Sequence, residues 1–398
     1  MLPFGLLLAC MAVLPLRWPG WWEKHYAKLA LGFAAVTVGY YVFVLPPAAL
    51  QTVRHTAEDY AGFITLIGSL YVVSGGINLR VLGTQRGAGW NTLFLGLGGL
   101  ASNILGTTGA SMLLIRPWLQ MNRSRIAAHH IVFFIFIISN VGGGLTPMGD
   151  PPLLVGFMEG VPFWWVAQHC WPMWLVSLAF LLAVFYFIDR RHDTRAQPAS
   201  GLESASLYWG WNLVFLAVIV ASVAVPLPPL IREGIMVLAA IASYFLTSPS
   251  VYAANEFNFR PIIEVAILFF GIFATLMPAL DRLHNVGGNL TPGRVYWSAG
   301  TLSAFLDSAP AYLAFFSAVT APAGGGMNAL PTNLIAALSV STVVFGAVTY
   351  IGNGPNLMVK AIAEHHKIQT PSFLAYLFKW AVPVMLPLLW LLWLIFFR

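Results

Sequence analysis

Charged side chains are scarce in this sequence. Only 9% of its 398 residues are Asp, Glu, Lys or Arg, whereas 59% are hydrophobic. Soluble domains carry about 25% charged residues, so the composition excludes an ordinary soluble domain and indicates a membrane protein with several crossings. The net charge of +6 then reflects how basic residues are distributed among the loops, and it does not indicate nucleic-acid binding.

Cysteine is nearly absent as well. Cys10 and Cys170 lie in or beside apolar segments, without the spacing of metal ligands, which excludes a disulfide framework or a zinc site. The sequence also lacks the Gly-x-x-x-x-Gly-Lys-[Ser/Thr] loop of ATP-driven transporters. No nucleophile stands beside a base in a recognisable pattern, so we predict neither an enzyme nor a resident cofactor.

Apolar segments follow one another along the chain, and segments of about 17 to 25 residues can cross a bilayer. We predict ten transmembrane helices, near residues 3–16, 29–47, 60–78, 127–157, 163–188, 207–226, 231–247, 262–280, 333–363 and 373–397. Two further apolar stretches, 91–115 and 296–318, are interrupted by small and polar residues, and we predict that both are re-entrant hairpins. With the N-terminus placed outside, the inner loops carry more Lys and Arg than the outer loops, as the positive-inside rule requires.

Two short stretches interrupt the apolar segments that contain them. Residues 146–152 read Thr-Pro-Met-Gly-Asp-Pro-Pro, and residues 349–355 read Thr-Tyr-Ile-Gly-Asn-Gly-Pro. Both fit the pattern Thr-x-x-Gly-[Asp/Asn]-x-Pro. A helix that breaks inside the membrane exposes backbone polar groups, which are tolerated only where they line a cavity. Two such breaks in corresponding halves of a chain point to the binding site of a transporter, and we predict them at 142–149 and 350–354.

The same series of elements occurs twice in the sequence: a crossing, a hairpin, a broken crossing and a further crossing. The first series covers about 60–188 and the second about 262–397, with residues 189–206 as a polar linker between them. The second series has the opposite predicted orientation. We therefore predict a single membrane domain over residues 1–398 that is built from inverted repeats.

Two acidic residues, Asp150 and Asp307, are predicted deep in the membrane. An ionisable residue there is costly and is by default a functional candidate, so each is expected to bind a cation or a proton. The alternative is that either residue caps the N-terminus of a helix. With Asn353, the two acids form the predicted ligand set for a monovalent cation such as Na⁺. The complete set of predicted ion- or substrate-binding residues is Ser102, Asn103, Thr107, Thr108, Asn140, Gly144, Thr146, Gly149, Asp150, Asp307, Ser308, Thr349, Gly352, Asn353 and Asn356.

A pair of histidines, His129 and His130, lies near a predicted inner membrane boundary. Histidine titrates near neutral pH and could sense it. An ordinary surface role is the interpretation that the sequence favours for both residues.

The motif-bearing stretches resemble the ion transporter superfamily, most closely its bacterial sodium:proton antiporter and citrate-transporter-like branch. The resemblance implies inverted repeats, two re-entrant hairpins, a homodimer with a scaffold domain, an elevator movement and a location in the bacterial inner membrane. Dicarboxylate carriers of the superfamily have Ser-Asn-Thr at both hairpin tips. Here the first tip retains Ser102-Asn103 with Thr107 nearby, whereas the second has Leu306-Asp307-Ser308. The stretches that carry the resemblance are SNILGTTGASMLLIRP (102–117), SNVGGGLTPMGDPPLLVGF (139–157), SAFLDSAPAYLAFF (303–316) and VTYIGNGPNLMVKAIAE (348–364).

Two functions are consistent with this sequence. The first is secondary antiport of Na⁺ against H⁺, with both ions competing for Asp150 and Asp307. We rank it first because two carboxylates at one site would repel an organic anion. The alternative is cation-coupled transport of citrate or another di- or tricarboxylate, with the cation bridging the substrate and the acids.

Overall fold

The computed structural model describes residues 2–82, 87–193, 204–208, 210–225, 227–255, 257–283, 290–320 and 331–398. The described chain is helical apart from one short ribbon. Its first half contains α1 (Leu2–Arg17), α2 (Pro19–Phe43), α3 (Ala49–Gly75), β1 (Asn78–Leu82), α4 (Ala88–Met121), α5 (Ala128–Ile137), α6 (Pro151–Met158) and α7 (Trp165–Asp193). The remaining elements are β2 (Ser204–Tyr208), α8 (Asn212–Ala224), α9 (Pro229–Leu246), α10 (Pro249–Ala254), α11 (Arg260–Leu283), α12 (Pro292–Phe305), α13 (Ser308–Thr320), α14 (Thr332–Gly346), α15 (Gly354–His365), α16 (Phe373–Tyr376) and α17 (Val382–Leu392).

Among the described residues, five helices are long and apolar enough to cross a membrane: Gly20–Phe43, Ala88–Met121, Trp165–His192, Arg260–Pro278 and Phe373–Phe397. Further apolar helices, such as Asn212–Val223 and Thr332–Gly346, are shorter. The prediction of a helical, multi-pass membrane protein is therefore confirmed. The predicted number of ten full crossings is not reached by helix length, because several of the predicted segments are broken or short.

Described elements extend into both ends of the predicted polar linker 189–206. Helix α7 continues to Asp193, and β2 begins at Ser204. Strand β2 pairs with β1 in antiparallel register, from Asn78 opposite Tyr208 to Leu82 opposite Ser204. Residues 194–203, the middle of the predicted linker, lie outside the described residues.

Helix α4 turns back on itself at Gly106. The φ of Gly106 is +74°, a conformation that glycine adopts without the steric cost of a Cβ atom. Asn91 Nδ2 donates a hydrogen bond of 2.8 Å to Asn122 Oδ1, although a straight helix would separate these residues by about 46 Å. The rings of Phe94 and Trp118 also stack, with their centroids 5.4 Å apart. The two halves of α4 therefore lie side by side.

Two other helical stretches are interrupted near the centre of the molecule. Helix α5 ends at Ile137 and α6 begins at Pro151, whereas α14 ends at Gly346 and α15 begins at Gly354. Both interruptions begin earlier than predicted, at residue 138 and not 142 in the first and at residue 347 and not 350 in the second. We call residues 138–150 the first break and residues 347–353 the second break.

The two interrupted helices form the core, and the peripheral helices face outwards. Every residue from Ile131 to Ile138 is fully buried. By contrast, α2 and α9 expose large apolar side chains, such as Phe43 (86% exposed) and Leu230 (89% exposed). Apolar side chains in such positions suit contact with lipid, because the hydrocarbon of a bilayer cannot solvate polar groups.

Candidate functional site

The first break is joined to the turn of α4 by the side chains of Asn103 and Thr146. Asn103 Nδ2 donates to the Gly142 carbonyl at 2.6 Å, and Asn103 Oδ1 accepts from the Leu145 amide at 2.9 Å. The Thr146 hydroxyl donates to the Asn103 carbonyl at 2.5 Å. Polar groups that the broken helix cannot pair within itself therefore find their partners on α4.

The second break is joined to the end of α12 in a closely similar way. The Thr349 hydroxyl donates to the Ala304 carbonyl at 2.5 Å and accepts from the amides of Ile351 and Gly352, each at 3.1 Å. In the first break, the Thr146 hydroxyl likewise accepts from the Gly149 amide, at 3.1 Å. In each motif, the threonine hydroxyl thus donates to a carbonyl of a neighbouring helix and accepts from a backbone amide of its own break.

The glycine of each motif allows a close approach of two backbone segments. A Cβ atom on Gly352 would lie 2.6 Å from the Gly346 carbonyl oxygen and 3.0 Å from the Ser303 carbonyl oxygen. A Cβ atom on Gly149 would overlap the carbonyl group of Gly143 in the same manner. Any side chain at these two positions would force the break open.

The two breaks meet each other through hydrogen bonds of asparagine side chains. Asn353 Nδ2 donates to Asp150 Oδ1 at 2.8 Å and to the Ser139 carbonyl at 3.1 Å. Asn140 Nδ2 donates to Asn356 Oδ1 at 2.7 Å. The side-chain nitrogen of the same asparagine, Asn356 Nδ2, donates to the carbonyls of Gly346 and Thr349, each at 2.9 Å. The two breaks therefore meet in one polar group of side chains. We call Asn140, Asp150, Asn353 and Asn356 the polar centre.

Asp150 lies in the middle of this centre and is only 1% exposed. Its Oδ1 accepts hydrogen bonds from Asn353 and from the Thr107 hydroxyl, the latter at 3.0 Å. Its Oδ2 has no hydrogen-bond partner among the described residues. Although Asp150 occupies the N-cap position of α6, its side chain makes no capping hydrogen bond. The helix-capping alternative therefore does not account for this carboxylate.

Three other buried oxygen atoms of the predicted site residues have no hydrogen-bond partner in the part of the chain that the structure describes. They are Asn140 Oδ1, Asn353 Oδ1 and Ser308 Oγ. Buried polar atoms are normally satisfied, so each exception calls for an explanation, and ion binding is one. Carboxylate, amide and hydroxyl oxygens are hard ligands that suit Na⁺, Mg²⁺ or Ca²⁺. With Asp150 Oδ2, these four unpartnered oxygens are the candidate ligands for a small cation.

Asp307 differs from Asp150 in its surroundings. It lies between α12 and α13, is half-buried, and accepts a hydrogen bond of 3.3 Å from the Ala309 amide. This contact caps α13, as the alternative interpretation expected. Helix α13, which follows Asp307, packs against α6, which follows Asp150.

The other predicted site residues divide into structural and cavity-lining groups. Ser102 Oγ donates to the carbonyls of Ile138 and Gly98, at 2.9 and 3.0 Å, and so fixes the start of the first break to α4. Gly144 faces Val343, at 3.3 Å from an added Cβ atom, so its role is to admit a neighbouring side chain. Thr108 lines a cavity together with Thr107 and Gly149.

This cavity lies between α3 and the turn of α4. Its volume is about 40 Å³, enough for one or a few water molecules. Side chains from α3, among them Leu66, Leu70 and Tyr71, close it on one side. The polar centre therefore lies next to a small, partly open cavity that α3 borders.

Sequence reasoning missed three contributors to the site. Trp174 Nε1 donates to the Gly142 carbonyl at 3.1 Å, but the sequence places this residue among aromatics that usually anchor a helix at the interface. The Ser139 carbonyl accepts from Asn353, which no side-chain pattern can reveal. Ser303 Oγ donates to the Thr342 carbonyl at 2.7 Å. The carbonyls of Ala304 and Asn103 accept from the motif threonines. A serine precedes each of them, Ser303 and Ser102, and this correspondence could have indicated the role of Ser303.

Comparison with known proteins supplies the identity of the chain. Residues 1–397 match the model of a family described as "Putative citrate transport". No curated protein matches the sequence. The match agrees with the resemblance to the ion transporter superfamily, and it identifies a transporter and not an enzyme. Since nearly all of its residues match, the chain belongs to this family.

Proposed function

We propose that this protein is a secondary transporter of citrate or a similar di- or tricarboxylate, and that a cation accompanies the substrate. The observation that carries the proposal is the family match over residues 1–397. It favours the alternative that the sequence left open over Na⁺/H⁺ antiport, which the sequence ranked first. The polar centre supplies a physical basis for both ligands.

Helix N-termini support the binding of the anion. The second half of α4 begins at Thr107, α6 begins at Pro151, α13 at Ser308 and α15 at Gly354, and all four positions border the polar centre or the turns that contact it. The N-terminal end of a helix dipole is positive and favours anionic groups. Thr108, which lines the cavity, is the hydroxyl group best placed to donate to a substrate carboxylate, because the Thr107 hydroxyl already donates to Asp150.

The unpartnered oxygens support the binding of the cation. A carboxylate substrate near Asp150 and Asp307 would be repelled, and the repulsion is strong where water is excluded. A cation held by Asp150, Asn353 and Asp307, with Asn140 and Ser308 nearby, would remove this repulsion. We infer that the cation must bind for the organic anion to bind, which is the basis of coupled transport.

The matched hydrogen bonds of the two breaks support an internal repeat. Thr146 joins the first break to Asn103, and Thr349 joins the second break to Ala304. We propose that residues 88–121 and 292–320 are the two re-entrant hairpins of inverted repeats. The homodimer, the bacterial inner membrane and the outer position of the N-terminus remain predictions that rest on the resemblance and on the charge of the loops.

The cavity supports a movement during transport. Its volume of about 40 Å³ is too small for citrate, which is many times larger than a water molecule. We propose that the turn of α4 and the breaks separate from α3 to admit the substrate. An elevator movement of the hairpins with the broken helices, as the resemblance implies, would achieve this.

Proteoliposomes containing the purified protein test the proposal. We expect uptake of labelled citrate that depends on an added cation, with Na⁺ and a divalent cation as separate arms. Asp150→Asn keeps the size of the side chain and removes its charge, so it should abolish cation-dependent uptake. Glu58→Gln is the matched control, because Glu58 is exposed and pairs with Arg54 on its own helix.

The same vesicles distinguish the rival function. If Na⁺ collapsed an imposed pH gradient without any organic anion, and citrate uptake were absent, Na⁺/H⁺ antiport would be the correct function. The observation that favours this second candidate is the buried carboxylate of Asp150 at the polar centre, with the half-buried carboxylate of Asp307 as a candidate second ligand.

A further inference from the structure

A second group of titratable side chains lies away from the polar centre, where the two ends of α4 meet α5 and α7. We call it the Asp189 cluster. The sequence favoured a surface role for its histidines, but His129 is only 4% exposed and His130 is fully buried. The sequence-based interpretation of these two residues was therefore wrong. The members of the cluster are Asn91, Arg125, His129, His130, Asp189 and His192.

Asp189 lies in the middle of the cluster and has no exposed surface. Its Oδ1 forms an ion pair with Arg125 and lies 3.0 Å from His129 Nε2 and 3.2 Å from His130 Nε2. Its Oδ2 accepts a hydrogen bond of 2.9 Å from Asn91 Nδ2. Three nitrogen groups thus converge on a single carboxylate oxygen.

One hydrogen bond to the His130 ring indicates its tautomer. His130 Nδ1 accepts a hydrogen bond of 3.2 Å from the Ala127 amide, so this nitrogen carries a lone pair. The neutral ring must then hold its proton on Nε2, the atom that faces Asp189, because the partner of one ring nitrogen fixes the state of the other.

This tautomer argues against a metal site, although His129, His130 and Asp189 have suitable ligand atoms within 4.8 Å of one another. A histidine nitrogen must be unprotonated to bind a metal ion, and His130 Nε2 is not. Arg125 already occupies the same carboxylate oxygen, so a metal cation would also meet a positive charge.

The ligand that fits the cluster is a proton. His129 Nε2 donates to Asp189 Oδ1, which leaves His129 Nδ1 as the basic atom of that ring. We propose that His129 is a proton-binding site, which takes up a proton at Nδ1 while Nε2 remains hydrogen-bonded to Asp189.

The charged and titratable groups that face His129 come from three segments. Asp189 and His192 face it from α7, His130 from α5, and Arg125 from the connection between α4 and α5. The rings of Phe185 and Trp380 also lie against it, with centroids 6.0 and 6.5 Å away, but they carry no charge.

Proton uptake would change the balance within the cluster. With neutral histidines, the charges of Arg125 and Asp189 cancel. A proton on His129 adds a positive charge that competes with Arg125 for the same oxygen of Asp189, so the Arg125–Asp189 ion pair weakens. The two positive groups then compete strongly for one acceptor oxygen, because a buried site screens charges poorly.

The cluster can pass this change on to the substrate site. Asn91 contacts both Asp189 and Asn122, so it connects the cluster to both ends of α4. The turn of α4 carries Thr107, which contacts Asp150. Acidification would therefore weaken the contacts at the two ends of α4. The turn of the same helix lines the proposed substrate site.

Nuclear magnetic resonance of the full-length protein in nanodiscs tests the proposal without any transport measurement. Ala128–His129 is the only Ala–His pair in the sequence, so labelling the alanine carbonyl carbon and the histidine nitrogens identifies His129 without a mutation. Ring nitrogen shifts distinguish the two neutral tautomers from the doubly protonated ring. We expect His129 to change from the Nε2–H form to the doubly protonated form on acidification, while the protein remains folded.

Two results would overturn the proposal. One is a His129 ring that stays neutral down to the pH at which the protein unfolds. The other is a His129 that carries its neutral proton on Nδ1, since Nδ1 would then not be the proton acceptor. His130, identified by loss of its signal in His130→Gln, should keep the Nε2–H form throughout.

Transport provides a second readout, which rests on the proposed function. In His129→Gln the pH dependence of citrate uptake should lose one titration step, whereas His169→Gln should leave it unchanged, because His169 is exposed and lies at the opposite end of α7. An unaltered pH dependence in His129→Gln would contradict the coupling of the cluster to α4. Absence of citrate uptake in the wild type would refute the proposed function and leave the resonance experiment intact.

Discussion

The Thr349 hydroxyl makes three hydrogen bonds at the second break. The residue is fully buried, and its hydroxyl donates to the Ala304 carbonyl and accepts from the amides of Ile351 and Gly352. Thr349→Val replaces the hydroxyl with a methyl group of nearly the same size, so it removes these hydrogen bonds without creating a cavity. The substitution therefore isolates the polar contribution of this residue.

The structure gives the expected size of the effect. The Ala304 carbonyl and the Gly352 amide belong to buried residues, and an unpaired buried polar group costs about 1–3 kcal/mol. Two such groups predict a loss of about 2–6 kcal/mol in the free energy of unfolding. Thr146→Val should cost less, about 1–3 kcal/mol, because the Gly149 amide also donates to the Thr146 carbonyl at 2.9 Å.

Unfolding in mixed micelles with increasing dodecyl sulfate, followed by tryptophan fluorescence, measures these free energies. Thr349→Ser retains the hydroxyl and is the matched control, so it should stay within about 1 kcal/mol of the wild type. If Thr349→Val were as stable as Thr349→Ser, the hydroxyl would not hold the second break to α12. A larger loss in Thr146→Val than in Thr349→Val would refute the comparison between the two breaks.

Three further predictions use the same assay. Gly352→Ala should cost about 1–3 kcal/mol through overcrowding of the backbone, whereas Gly354→Ala should be close to neutral because nothing lies within 4 Å of an added Cβ atom; equal stabilities would contradict the close approach. Asn140→Ala and Asn356→Ala should be coupled by about 0.5–3 kcal/mol in a double-mutant cycle, and additive effects would mean that this pair does not join the breaks. Trp174→Phe should lose about 1 kcal/mol through its missing N–H donor, and no loss would show that the donor is dispensable.

The class of the protein and the positions of its interruptions could be predicted from the sequence. A chain with so few charged residues cannot cover its surface with groups that water solvates, which leaves the membrane. The Thr-x-x-Gly-[Asp/Asn]-x-Pro pattern predicts a break because proline lacks an amide donor and glycine permits close backbone contact. These are local properties, and they act wherever the chain folds.

The roles of particular side chains could not be predicted in this way. The sequence singled out Asp150 and Asn353, but only the folded chain joins them, across 203 residues. The fold also decides that Asp307 caps a helix, that Gly144 faces Val343, and that the Asp150 side chain keeps an oxygen without a partner among the described residues.

The burial of His129 against Asp189, which is 60 residues away in sequence, was likewise decided by tertiary structure. Local pattern fixes the conformation of the backbone, because sterics and hydrogen bonds act between neighbours in the chain. The partner of a buried polar group is selected by which distant segments lie against it, since every such group must be satisfied by whatever the fold brings near. The sequence alone therefore determined that this is a membrane protein and where its helices are interrupted, and the tertiary structure decided which buried oxygen atoms have no hydrogen-bond partner among the described residues.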